Sequence, residues 1–227
     1  MHLIIFMWGF TGILGKLIQL DAIIIVWYRI LIAVSVLFLF FILTKKSFKI
    51  QKKHLWKISL VGMIVASHWL TFYYSIQLST ASLGILCLST TTLHVTWLEP
   101  LVMKRRFSWL EFLLSCCVVY GIYFVAGDFS PKEMTALYFG LLSALCAALF
   151  SVFNAKISQE VPSTHITLYE LIVGFIAFSL LFLVLRAKVV PLFEKAFAER
   201  TDAIAGGIER AEKAQREAEV ALQKYTS

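Results

Sequence analysis

Seven apolar runs, each close to the length of a bilayer crossing, follow one another through most of the chain: about 3–19, 22–44, 55–77, 80–103, 108–126, 135–157 and 165–186. A hydrocarbon core about 30 Å thick is crossed by about 20 helical residues rising about 1.5 Å each. Inside it every backbone N–H and C=O needs an internal partner, so only helices and closed barrels can span it. None of the runs alternates polar and apolar residues between turn signals, and a barrel has no support in the pattern. The expected fold is therefore all-α: a polytopic membrane helix bundle of about seven transmembrane helices. Composition agrees, with 59% hydrophobic and 15% charged residues and a mean hydropathy of +0.81.

The separators carry turn or charge signals: Gln19–Asp21, the basic segment Lys45–Lys57, Ser79-Thr80, Lys104–Arg106, Gly127–Lys132 and Gln159–His165. Pro131 and Pro162 suit helix starts. Lys45, Lys46, Lys49, Lys52, Lys53 and Lys57 follow the second run, and Lys104, Arg105 and Arg106 follow the fourth. The loops after runs one, three and five hold a single basic residue, Lys132. This asymmetry expects a cytoplasmic N-terminus. The net charge of +7 resides in such loops, so a nucleic-acid partner is not expected. Met1 opens directly into an apolar helix, without a basic leader or a small-residue cleavage site.

The four cysteines, Cys87, Cys116, Cys117 and Cys146, lie inside apolar runs without ligand spacing, and buried free thiols are expected rather than a metal site. No Ser/His/Asp arrangement, zinc spacing or phosphate-binding glycine loop occurs, so neither an enzyme nor a cofactor is expected.

An internal repeat is visible. Phe10–Leu17 (FTGILGKL) aligns with Phe150–Ile157 (FSVFNAKI), and Trp27–Ala33 (WYRILIA) aligns with Leu168–Gly174 (LYELIVG). Five helices separate the copies, so the second is expected to insert upside down, a recurring plan in secondary transporters.

Ionisable groups at bilayer depth cost about 2.5–3.5 kcal/mol or more, and they mark a pathway or an internal pair. Lys16 flanks the first loop, where snorkelling accounts for it equally well. Arg29 lies about two turns into the second helix, placed either to attract an anionic solute or to pair with an acid. His68 and Trp69 precede Phe72, Tyr73 and Tyr74, which reads either as an aromatic-lined cavity with one imidazole or as ordinary packing around a bonded histidine. Thr92 and Thr96 offer hydroxyls to backbone carbonyls or to solute. Glu99 reads as a proton-coupling carboxylate or as the ion-pair partner of Lys104–Arg106, and Pro100 is expected to kink its helix.

Several of these residues fall in motifs that resemble the EamA family of the drug/metabolite transporter superfamily. They are Phe6–Thr11 (FMWGFT), Trp27-Tyr28-Arg29, Ser89–Pro100 with the run Leu98-Glu99-Pro100-Leu101, and Lys104–Glu111 (KRRFSWLE), and the resemblance covers about residues 1–174. It implies two inverted five-helix repeats that carry small metabolites, of which this chain holds one repeat and the first two helices of the second. A second half-transporter or self-association is accordingly expected, beside the lipid bilayer and a small-molecule solute as partners. The pathway candidates are Trp8, Arg29, His68, Trp69, Tyr73, Thr92, Thr96 and Glu99.

From Arg186 the composition changes: RAKVVPLFEKAFAERTDAIAGGIERAEKAQREAEVALQKYTS. This stretch resembles the b subunit of bacterial F-type ATP synthase, through Lys188–Pro191, Ala198–Thr201 and Gly206–Gln215, and the resemblance reaches back to about residue 170. It implies a peripheral-stalk segment without catalytic residue or cofactor, in a bacterial inner (plasma) membrane. Ile204, Ile208, Ala211, Gln215, Ala218, Leu222 and Tyr225 recur at alternating spacings of four and three, a narrow seam for a coiled-coil partner. A solvated single helix is the alternative.

The two resemblances disagree about sidedness. Seven spans from a cytoplasmic N-terminus leave the tail outside, whereas Arg186 and Lys188 just beyond a helix favour the inside. A chimera is the expected explanation, with an EamA-like membrane domain over 1–185 and a stalk-like helix over 186–227. Transport of a small metabolite is the expected function. The alternatives are a stalk or anchor segment of proton-transporting ATP synthesis and a non-functional hybrid.

Overall fold

The computed structural model describes residues 2–126 and 130–184, together with residues 187, 191, 201, 206 and 215. Its elements are α1 (His2–Leu17), α2 (Ala22–Leu43), α3 (Lys52–Leu78), α4 (Ala81–Ser89), α5 (Thr91–Met103), α6 (Trp109–Ala126), α7 (Pro131–Ile157) and α8 (Ser163–Val184). The fold is all-helical, and no strand occurs among the described residues.

Among the described residues, five spans are long and apolar enough to cross a bilayer: Ala22–Leu43, Lys52–Leu78, Ala81–Met103, Glu133–Ile157 and Ser163–Val184. The apolar part of α6, Trp109–Phe124, is shorter, and α1 has 16 residues. Large side chains such as Leu43, Leu101, Trp109, Tyr123 and Leu183 face outward, as lipid-facing positions require.

Local chemistry fixes the helix ends. The Thr80 hydroxyl accepts from the Leu83 N–H at 3.1 Å, which caps α4. Ser130 and Glu133 form a reciprocal capping box at the start of α7, with Pro131 in its first turn. The expected run 80–103 is divided, and the division lies at Thr90 rather than at the proline. Thr90 gives both its N–H (3.0 Å) and its hydroxyl (2.6 Å) to the Cys87 carbonyl, a three-residue closure that tightens the turn. α5 then continues through Pro100 to Met103 and stops at Lys104, whose φ of 56° is left-handed.

The chain divides into two compact units, Met1–Ser179 and Leu180–Ser227. In the first, α3 is central and packs against α1, α2, α4 and α7. α7 can lie close because Ala136, Gly140, Ser143, Ala144, Ala147 and Ala148 are all buried small residues. A Cβ on Gly140 would stand 2.6 Å from the Cys87 Sγ, so the glycine sets the separation of α4 and α7. One apolar cluster joins α2, α3 and α8 through Val26, Ile30, Phe72, Ile76 and Phe178. Another joins α3, α7 and α8 through Ile58, Val61, Ile157 and Ile166. In the second unit, Leu180–Val184 are the last helical residues of α8, and Leu180, Leu181, Leu183 and Val184 are exposed.

The cysteines are free, yet the protein buries only Cys87; Cys116 and Cys146 are half-buried, and Cys117 is exposed on the outer face of α6. The expectation of four buried thiols fails because an apolar helix in a bilayer can turn a thiol toward lipid as readily as toward protein.

Candidate functional site

α2 and α3 bring three of the expected residues together. Arg29 stands seven residues past Ala22, about 10 Å along the α2 axis. Its Nη1 donates to the Tyr73 hydroxyl. Its guanidinium carbon lies 5.1 Å from the Trp69 ring centroid and 5.8 Å from that of Tyr73. Trp69 and Tyr73 are four residues apart, so both rings rise from one face of α3. Such cation–ring contacts contribute about 0.5–2 kcal/mol, which offsets part of the cost of a charge at this depth. Among the described residues no carboxylate pairs with Arg29. The acid partner that the sequence left open is therefore replaced by a phenol and two ring faces.

His68 turns away from this group, toward α7. Its Nδ1 is 2.9 Å from both the backbone oxygen and the Oγ of Ser143, and Ser143 Oγ donates to the His68 carbonyl at 3.1 Å. The ring packs against Phe72 (6.2 Å) and Phe150 (5.4 Å). About two turns further along α3, Ser75 Oγ donates to the Ala136 carbonyl at 2.7 Å. These bonds stitch α3 to α7 with side chain-to-carbonyl contacts, the common polar glue between membrane helices.

Thr92 and Thr96 lie apart from both groups, in a groove of about 430 Å³ between α5 and α6 that Thr91, Val95, Glu111, Leu114, Ser115 and Val118 also line. Their hydroxyls donate back to Ser89 O (3.1 Å) and Leu93 O (2.7 Å), which leaves lone pairs toward the groove. Glu99 is separate again: its Oε1 accepts from Arg105 Nη1 at 2.7 Å, at a half-exposed helix end. Trp8 lies in α1, but its side chain is outside the described residues. Ile204, Ile208, Ala211, Ala218 and Leu222 of the expected partner-helix seam are also outside them, as is Tyr225.

Two lysines at aligned repeat positions do the same work. Lys16 Nζ donates to Ile76 O (3.3 Å) and Ser79 O (2.5 Å) at the end of α3. Lys156 Nζ donates to Val102 O (2.9 Å) at the end of α5. Both satisfy last-turn carbonyls with a cation. A second cavity, of about 420 Å³, opens beside Lys16 between the α1–α2 turn and Gln77. Gln77 bridges that turn, accepting from Ala22 N (3.0 Å) and donating to Leu20 O (2.6 Å).

Residues that sequence reasoning did not single out are Ser143, Ser115 and Asn154. Ser143 belongs to the small-residue stripe of α7, a periodic signal that marks a close helix contact. Asn154 donates to Glu170 Oε2 at 3.2 Å. Glu170 is buried in α8, and its Oε1 and the Asn154 Oδ1 have no hydrogen-bond partner among the described residues.

The paired aromatic–arginine group, the Thr-lined groove and the Glu99-Pro100 turn all fall within the part of the chain matched by one family model. That model, described as the EamA-like transporter family, matches residues 1–127, from α1 through α6. The chain belongs to the EamA-like transporter family. It is thus a multi-pass membrane protein of a transporter superfamily, and the match spans more than half of its residues.

A second similarity is of another kind. The chain is 57% identical over 56 residues to ATP synthase subunit b of Cutibacterium acnes, covering 25% of this chain and 30% of that protein. It is 53% identical over 57 residues to ATP synthase subunit b of an Arthrobacter species, covering 25% and 31%. With that of Saccharopolyspora erythraea it shares 52% over 58 residues, covering 26% and 33%. The chain therefore spans about a third of the length of the curated relatives it matches. No solved structure matches. One chain carries similarity to two families, an EamA-like transporter and an ATP synthase subunit b.

Proposed function

We propose that the EamA-like part is the working unit of a carrier for small metabolites, set in a bacterial inner membrane with its N-terminus in the cytoplasm. The family match through α1–α6 is the observation that carries this reading. Loop charge supports the orientation: Lys45–Lys57 and Lys104–Arg106 fall at one end of the helices, and Lys132 is the single basic residue in the loops after runs one, three and five. Arg29, Trp69 and Tyr73 on one side, and Thr92 and Thr96 on the other, are the polar pathway groups. Such carriers place solute where inverted repeats meet. A second copy of the chain or another polypeptide pairs with this part to form the solute pathway.

The test is flux. Purified protein in proteoliposomes is offered a panel of small metabolites, grouped as anions, cations and neutral solutes, under proton and sodium gradients. Saturable uptake of one group is expected. Absence of flux for every group under every gradient overturns the reading.

The matches to subunit b favour a second reading for the rest of the chain. In it, residues from about 170 onward act as a stalk or membrane-anchor segment with a helical partner, joined to the carrier-like part as a chimera with domains 1–185 and 186–227. The two readings ask for opposite sides of the membrane. Thr226→Cys, introduced after the native cysteines are replaced, is labelled with an impermeant maleimide on sealed vesicles of known orientation. Labelling from outside supports the carrier topology; labelling from the cytoplasmic side supports the stalk-like one and rules out a bundle assembled as a carrier.

A further inference from the structure

We propose that Arg29, framed by Trp69 and Tyr73, is the point at which the carried solute is held by an oxyanion, a carboxylate or a phosphate group. The inference rests on the carrier reading above and names its substrate class. A guanidinium presents five N–H donors in a planar fork, and among the described residues the protein takes only one, at the Tyr73 hydroxyl. No carboxylate among the described residues neutralises it. Glu99 is committed to Arg105, and Glu170 to Asn154 on other helices. Asp21, the acid nearest in sequence, lies exposed in the turn before α2. The charge is thus kept at depth with its recognition edge unspent.

The setting selects an oxyanion over other partners. Trp69 and Tyr73 lie beside the guanidinium and fix its position, while the hydrogen bond from Nη1 orients its plane. Among the described residues only one in-plane N–H is taken, by Tyr73, and the others match the two oxygens of a carboxylate or phosphate in a bidentate pair. Arg29 is half-buried rather than sealed, so a solute can reach it. Simple snorkelling would carry the side chain along α2 toward the helix end. Here it crosses to α3 instead.

The same chemistry is offered by a dissolved anion and by a lipid headgroup phosphate, and the experiment separates them. The full chain is placed in nanodiscs of phosphatidylcholine and titrated with succinate, with inorganic phosphate and, as a control, with tetraethylammonium. Tryptophan emission is followed, since Trp69 touches the site. A saturable change with an oxyanion and none with the cation is expected. Arg29→Gln is expected to weaken it more than ten-fold, while Arg29→Lys, which keeps charge but loses the fork, weakens it about ten-fold. Tyr73→Phe keeps the ring but removes the hydroxyl that orients the guanidinium, and is expected to weaken binding about 2–10-fold, so it tests the site if Arg29→Gln does not fold. Equal binding by Arg29→Lys and the parent overturns the proposal, as does equal binding by Arg29→Gln. So does a signal that needs phosphatidylglycerol in the nanodisc and ignores soluble anions, which would make Arg29 a headgroup contact. Binding is read at equilibrium, so oxyanion binding without flux would leave the site standing and sink the carrier reading. Flux of a neutral or cationic solute, unaltered in Arg29→Gln, would do the reverse.

Discussion

Gly62→Ala offers a direct measure of how tightly α3 and α8 are pressed together. A Cβ at residue 62 would lie 2.6 Å from the Glu170 carbonyl oxygen and 2.9 Å from the Glu170 Cα. Both obstacles are backbone, so no side-chain rotation relieves them, and one helix must move by roughly 0.5–0.8 Å to restore ordinary contact. Overpacking of this kind costs about 1–3 kcal/mol. Alanine returns about 1 kcal/mol through its better helix propensity, so a net loss of about 0–2 kcal/mol is expected. Two other glycines calibrate the effect. At Gly174, on the same interface, a Cβ would meet Gly62 O at 3.4 Å and the Ala66 Cβ at 3.6 Å, which is ordinary contact. At Gly121 on α6 nothing lies within 4 Å. Gly174→Ala and Gly121→Ala are therefore expected to be neutral or to stabilise by up to about 1 kcal/mol. The assay is reversible unfolding in mixed micelles followed by circular dichroism. Gly62→Ala is expected to fall below Gly121→Ala by about 1–3 kcal/mol, the overpacking cost alone. If all three alanines shift stability alike, the close approach of α3 and α8 is refuted.

His68→Ala is expected to destabilise the same unfolding transition by about 1–3 kcal/mol, because it removes the ring's bonds to Ser143 and its packing against Phe72 and Phe150, while Ser143 Oγ keeps the residue-68 carbonyl. Ser143→Ala should cost less, and the double variant should cost less than the sum, since the two residues share one set of bonds. Lys16→Met is expected to speed hydrogen exchange at the end of α3 by about 2–5-fold, as follows from losing a cation worth about 0.3–1 kcal/mol at a helix C-terminus. Unchanged exchange would mean that its contacts with Ile76 and Ser79 contribute nothing. Glu99→Gln breaks a partly exposed ion pair and is expected to cost under about 1 kcal/mol at low salt, with the difference vanishing near 1 M salt. A large, salt-independent loss would restore Glu99 as a buried coupling group.

Much of the architecture was legible in the chain because a bilayer imposes it. Hydrophobic length and the need to satisfy every backbone group make each apolar run a helix, whatever its neighbours. Gln19–Asp21 and Lys45–Lys57 had to fall between helices, and Pro131 had to stand near a helix start, because these signals act over three or four residues. The family motifs, too, are local strings, and the Glu99–Arg105 pair was readable because its members lie six residues apart.

Whether a residue faces protein, solute or lipid is a different kind of question. In a helix that is apolar all round, periodicity no longer distinguishes an inner face, so Cys117 and Cys87 look alike in sequence and end in opposite settings. His68 and Trp69 are adjacent, yet one bonds to α7 and the other receives a cation from α2. Only packing decided that, through the small residues of α7 that let Ser143 reach the imidazole. The break at Thr90 rather than Pro100 has the same origin, a hydroxyl and an N–H converging on one carbonyl. The sequence by itself determined that this chain is a bundle of membrane helices with similarity to two families, because apolar length and motif are properties of contiguous residues. Only the tertiary structure decided that Arg29 meets Trp69 and Tyr73, with its other donors unspent among the described residues, because that arrangement depends on how two helices meet across some forty residues of chain.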